Sequence, residues 1–273
     1  MPHQVEFLIE GYLLPITVGG LRVSEELILE SVCRVGSEHR LSHESADYAI
    51  AYVGVTTPKE SNPFPAAIGY LDFFLLIYSL VSGQPVTSIV GVGTTLDDMS
   101  SLGTKRIGWA SFEKINFLDE RWDDLFCKPI LDAKNLFLQL LPDRQKIMES
   151  HLGLALSYYY FAVLASRRRL EEAVINLMIA GEALLINQDE NKGENLSRRL
   201  STLIGKDETE KTGISKEMRK LYGLRSSIVH GGGKKPLFKD VKTLFDYVRR
   251  AVESGLSLRH LSKKKLLVKL DEA

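Results

Sequence analysis

Cysteine is almost missing from this chain of 273 residues: Cys33 and Cys127 are the only two, far apart and each in apolar surroundings. That excludes a disulfide framework and supplies no thiolate metal set, so a reducing, cytoplasmic address is expected. No basic stretch followed by an apolar core opens "MPHQVEFLIE", so no secretory signal is expected either. Long hydrophobic runs are missing too. The longest, Ala66 to Val81, contains Asp72 and falls short of the roughly 20 residues that a bilayer demands. A buried core helix is expected there, with no membrane partner. Internal repeats and low-complexity tracts are absent.

Net charge is zero, with 35 Lys and Arg against 35 Asp and Glu. The balance hides an asymmetry: residues 1–130 carry 9 basic against 17 acidic side chains, and residues 131–273 carry 26 against 18. A basic half of that kind points toward an anionic partner and allows the acidic half to shield it. What is present otherwise is ordinary for a globular protein, 44% hydrophobic and 26% charged residues, which argues against disorder.

Hydrophobic patterning divides the chain near Pro129. Before it, β-branched runs such as "VEFLIEGYLLPITV", "DYAIAYVGVTT" and "VTSIVGVGTT" read as strands between Gly, Pro and Asn punctuation. After it, leucine-rich faces repeat at helical spacing. The expected class is α+β: a mixed α/β module over 1–129 with an unassigned recognition or regulatory role, then an all-α antiparallel bundle of five or six helices over 130–273. Within the bundle, "DAKNLFLQLL" closes at Pro142, and Asp143 is placed to cap one long helix running to Ser166. "RLEEAVINLMIAGEALLI" follows, then "LSRRLSTLI", then a loop "GKDETEKTG". The motif helix is "ISKEMRKLYGLRSSIV", with Gly231 where a left-handed cap sits. Pro236 opens the last helix, which is expected to run to Leu261.

Several groupings have plainer readings than chemistry. His39 and His43 lie four apart, but in a loop with no third ligand at a recognised spacing. "GVGTTLDD" matches neither phosphate-binding fingerprint and reads as a turn. One of Tyr158, Tyr159 and Tyr160 is expected in the core, leaving the others for a groove or partner. "SRRRL" at 166–170 suits helix capping better than phosphate contact. No nucleophile elbow and no cysteine near a histidine can be found. No metal site and no cofactor are expected.

Arg225 and His230, in "LYGLRSSIVHGGGKK", stand apart. With 16 arginines and 6 histidines in the chain the spacing is cheap; the context is not. Five helical residues separate two side chains by about 140° around the axis. The two converge only if the backbone changes direction near His230, and the triple glycine allows that. The partial negative charge of a helix C-terminus favours a protonated imidazole, and an arginine fork suits a phosphoryl group. Lys220, Lys234 and Lys235 add positive charge for RNA binding. These features describe a metal-independent phosphodiester site. Glu182, a carboxylate in an apolar helix, needs a partner, and Arg225 is the natural one.

"IAGEALL" at 179–185, "LSRRLSTLI" at 196–204 and "LYGLRSSIVHGG" at 221–232 resemble the HEPN superfamily, in particular its ApeA-like branch, over about residues 130–260. The resemblance implies an all-α bundle that pairs about a two-fold axis. It implies a metal-independent endoribonuclease of a toxin–antitoxin, antiviral defence or RNA-processing system, with an antitoxin as a possible further partner. His230 would take part in proton transfer as a ribose 2′-OH attacks the neighbouring phosphate, and Arg225 would stabilise the charge that develops. Ser226 departs from the Asn, Asp or His usual after the arginine and cannot share acid–base work. RNA, as tRNA or another structured RNA with single-stranded loops, is the expected substrate, because a 2′-OH attack needs no metal. Two rivals belong to other classes: a non-catalytic HEPN-like RNA-binding or assembly module, and an activity seated in residues 1–129.

Overall fold

Leucine and alanine three and four positions apart drive nearly everything after residue 131 into helices. The computed structural model describes residues 2–11, 21–22, 27–32, 48–56, 64–83, 86–95, 132–166, 169–188 and 190–273. The helices are α1 (Phe64–Ser82), α2 (132–140), α3 (Arg144–Met148), α4 (His151–Ala165), α5 (Leu170–Leu185), α6 (Lys192–Ile204), α7 (Glu208–Val229), α8 (Phe238–Ser257) and α9 (Lys263–Asp271). Side-chain packing is described for 69–83, 132–166, 169–188 and 190–273. Of this part 82% is helical and none lies in a strand or sheet, so the class is all-α and the α+β expectation is corrected.

The physical reason is that a fold class rests on packed layers around a core, and these core side chains lie on helices or their caps. Among residues 2–95 the backbone forms an antiparallel ladder in the order β2-β3-β4-β1-β5. Its strands are β1 (Pro2–Gly11), β2 (Leu21–Arg22), β3 (Leu27–Val32), β4 (Tyr48–Thr56) and β5 (Val86–Thr95). Val5 is opposite Val53 on one side and Gly93 on the other. This is backbone pairing and does not set the class.

Chain contacts separate Met1–Pro142 from Asp143–Ala273; Pro129, where the sequence suggests a boundary, lies outside the described residues. So do Cys33, Cys127, His39 and His43. In the first unit α1 is buried as expected, with Leu71, Phe73, Phe74, Ile77 and Leu80 fully covered. Phe137 of α2 meets Phe73 and Phe74 at ring separations of 5.7 and 5.6 Å.

In the second unit α5 is central, packing on α4 and α8 and touching α6, α7 and α9. Val174, Leu177, Met178, Leu184 and Leu185, the helical stripe read from the sequence, are completely buried. Each such side chain contributes roughly 2 kcal/mol of transfer free energy. Gly255 lets α8 approach closely, since a Cβ there would stand 2.9 Å from Leu184 and 3.0 Å from Leu152. Tyr159 is the core member of the tyrosine triplet, edge-on to Phe245 at 5.6 Å.

The long helix expected from Asp143 is divided. Ser150 accepts the Leu152 N–H and starts α4 afresh. Asp143 caps α3 without a side-chain bond, its carboxylate being taken by Arg259 at 2.8 Å. α7 begins earlier than expected, because the Asp207 side chain accepts the Glu210 N–H at 2.8 Å. Arg250 then ties Glu210 and the Ile204 carbonyl together across α6, α7 and α8.

Candidate functional site

The glycine-terminated end of α7 has the geometry its sequence requires. His230 caps the helix and donates its backbone N–H to Ser226 O at 3.0 Å. Gly231 takes φ +71°, its N–H reaching Ile228 O, while the Gly232 N–H reaches Ser227 O at 2.7 Å. This pair of bonds is the Schellman arrangement, which a left-handed residue at that position makes possible. His230 is exposed there, as are Lys234 and Lys235, and none of the three makes an ion pair among the described residues.

Arg225 lies one and a half turns earlier and is half-buried. Its guanidinium sits 5.8 Å from the Tyr222 ring centre, a cation–π distance. Its Nε is buried with no hydrogen-bond partner among the described residues, as is Oε1 of Glu182. Tyr222 stands between the two. Its pKa is raised first by burial and then by the nearby Glu182 carboxylate, with Arg225 acting in the opposite direction. The direct pair expected between Glu182 and Arg225 is not formed. Lys192 approaches Glu182 instead, at 3.8 Å.

The structure therefore gathers Glu182, Tyr222 and Arg225 into one cluster. It leaves His230, Lys234 and Lys235 together on the exposed glycine turn. No hydrogen bond joins Arg225 to His230, and Ser226 serves the turn through its carbonyl. Lys220 is engaged elsewhere: Glu217 lies at 3.0 Å and Asp240 at 3.9 Å. The hydrogen bond to Glu217 is the main reason its ammonium is held above the usual lysine range. In "SRRRL" residues 167 and 168 lie outside the described set, and Arg169 meets Glu172 at 3.5 Å.

Two features of this region are not evident in the residue pattern. Phe238, at the first position of α8, is 72% exposed, and Leu237 before it is 57% exposed. Together with Lys234, Lys235 and Lys239 they make a mixed apolar and basic surface next to the turn in sequence. Tyr222, three residues before Arg225, is a helical aromatic that nothing in the sequence distinguishes, yet it carries the Arg225 guanidinium on its ring and feels the Glu182 carboxylate.

Arg199, within one of the stretches that carries the HEPN resemblance, is a tie rather than a surface contact. It is 4% exposed, donates to Leu185 O at 2.8 Å and to Glu190, and grips Asp271 through Nε at 2.7 Å and a terminal nitrogen at 2.8 Å.

Among the described residues no group of three His, Cys, Asp or Glu side chains is placed to hold a metal ion. No helix among them is long and apolar enough to cross a membrane. No protein-family model, curated protein or solved structure matches the chain.

Proposed function

We propose that the helical unit is a HEPN-like module of the ApeA-like kind, working in the cytoplasm as a homodimer and cleaving RNA without a metal. The feature that most supports this is the exposed imidazole of His230 on the glycine turn, beside Lys234 and Lys235. In the proposed reaction a ribose 2′-hydroxyl gives up its proton to solvent water as its oxygen bonds to the adjacent phosphorus, the bond from phosphorus to the 5′-oxygen breaks, and His230 supplies the proton that the leaving oxygen takes up, regaining one from water afterwards. Arg225 stabilises the extra charge on the phosphoryl oxygens. A second subunit would complete the cleft. Lys220, Lys234 and Lys235 bind the RNA backbone, and Ser226 and Glu182 support the motif. The proposed substrate is tRNA or another structured RNA with single-stranded loops, in a toxin–antitoxin or defence setting with an antitoxin as the natural inhibitor.

The experiment is incubation of the purified chain with tRNA in EDTA, alongside Arg225→Ala and His230→Ala. Wild type should nick the RNA, and each variant should lose at least a hundredfold in rate. If all three proteins nick equally, the assignment is wrong.

A second reading is favoured by one observation: within a single chain Arg225 leans on Tyr222 and makes no contact with His230. On that reading the module binds RNA without cutting it. Retention of RNA that weakens steeply with salt, with no product at any protein concentration, would select it.

A further inference from the structure

A second cationic site lies away from the glycine turn. The turn between α3 and α4 and the turn between α8 and α9 enclose a cleft of about 430 Å³. Its lining includes six basic side chains, Lys146, His151, Arg259, His260, Lys263 and Lys265, against a single acid, Asp143. That acid is already taken, since Arg259 Nε lies 2.8 Å from its carboxylate. Lys263 donates to the Ile186 carbonyl. Lys146, His260 and Lys265 are exposed and make no ion pair among the described residues. Glu149, on the same turn, is engaged by Gln145 at 2.9 Å.

Like charges gathered in a concave wall raise one another's energy, and they draw in an anion that no side chain supplies. The state of His151 agrees with a positive cleft: burial lowers its pKa, and the Lys263 ammonium lowers it further. Hydroxyls of Ser150 and Ser262 also line the space. A bare phosphate would leave most of the volume unfilled, which is in the range of small-ligand clefts.

We infer that this cleft binds a phosphate monoester, its dianionic group held by Lys146, Lys265 and His260 and its organic part filling the remaining space. The site is independent of the proposed RNA cleavage. The 20 residues of α8 separate it from the glycine turn by about 30 Å of helix.

The test is calorimetric titration of the full chain with AMP, adenosine, inorganic phosphate and a trinucleotide with or without a 5′-phosphate. A Lys146→Gln/Lys265→Gln double variant is measured in parallel. Both lysines are exposed, so the variant should melt with wild type. A Lys216→Gln/Lys269→Gln double variant removes equal charge elsewhere. The expected result is binding of AMP and not adenosine, weakened at least tenfold in the cleft variant and unchanged in the control variant. If the 5′-phosphorylated trinucleotide binds and AMP does not, the monoester comes from an RNA end; if AMP binds, it comes from a free nucleotide-sized ligand. The inference is overturned if no phosphorylated probe binds, or if the cleft and control variants weaken binding equally.

Discussion

At the scale of single residues, glycine 231 and arginine 225 show how far local chemistry reaches. Gly231 sits at φ +71°, a conformation that costs a side chain about 1 kcal/mol. Gly231→Ala should therefore lower the unfolding free energy by about that amount in urea titration, and it should do so whether or not the turn is catalytic. An unchanged midpoint would mean that the cap does not hold in solution. The position was legible because a helix-ending glycine is dictated by backbone sterics within a few residues. Arg225 was legible as a special residue, but its neighbour was not. The ring beneath its guanidinium belongs to Tyr222, and the carboxylate beyond it, Glu182, is turned to Tyr222 and Lys192 rather than to the arginine. Which cation meets a half-buried carboxylate depends on how α5, α6 and α7 are packed, and no spacing in one helix encodes that.

At the scale of elements, the ends of helices carry the differences between pattern and structure. "GKDETEKTG" looks like a loop by its polarity, yet Asp207 caps it and Arg250 anchors Glu210, so α7 starts there. α9 is masked at the level of sequence by its crowded lysines, although Leu266, Leu267 and Leu270 form its buried side. That helix is fastened by the Arg199–Asp271 pair. Removing Arg199 leaves Asp271 and Glu190 unmatched and the Leu185 carbonyl without its donor, so Arg199→Ala should cost roughly 3 kcal/mol in a urea melt. The same tie predicts a pH response. Hydrogen bonds from Arg199, then Arg198, hold Asp271 at about 2, below its ordinary 3.8. Because the folded value is the lower one, the stabilisation is fully present above the ordinary value and fades as pH falls toward about 2. Partial exposure of Asp271 screens the pair and limits this contribution to about 1 kcal/mol. Urea midpoints between pH 5 and 2 should fall less steeply for Asp271→Asn than for wild type, and parallel curves would contradict the linkage.

At the scale of the whole molecule, the chain divides after Pro142, and the helical unit holds its own core around α5. A fragment of residues 143–273 should give a helical circular dichroism spectrum and one cooperative thermal transition. A broad, sloping melt would show that its stability depends on the rest of the chain. The all-α class was only half legible. Helical periodicity after residue 131 is read directly from where leucines recur, whereas the β-branched runs before residue 130 were given the weight of a packed layer that the class does not contain.

Helix positions, the α7 cap and the basic character of the second half follow from residue order, because propensity, capping and charge act over a handful of neighbours. Side-chain partners do not: Tyr222 against Glu182, Arg199 across to Asp271, and six basic groups around one cleft with a single acid are meetings between residues from different helices. Such meetings are set by packing distances and burial, which exist only once the chain has closed on itself.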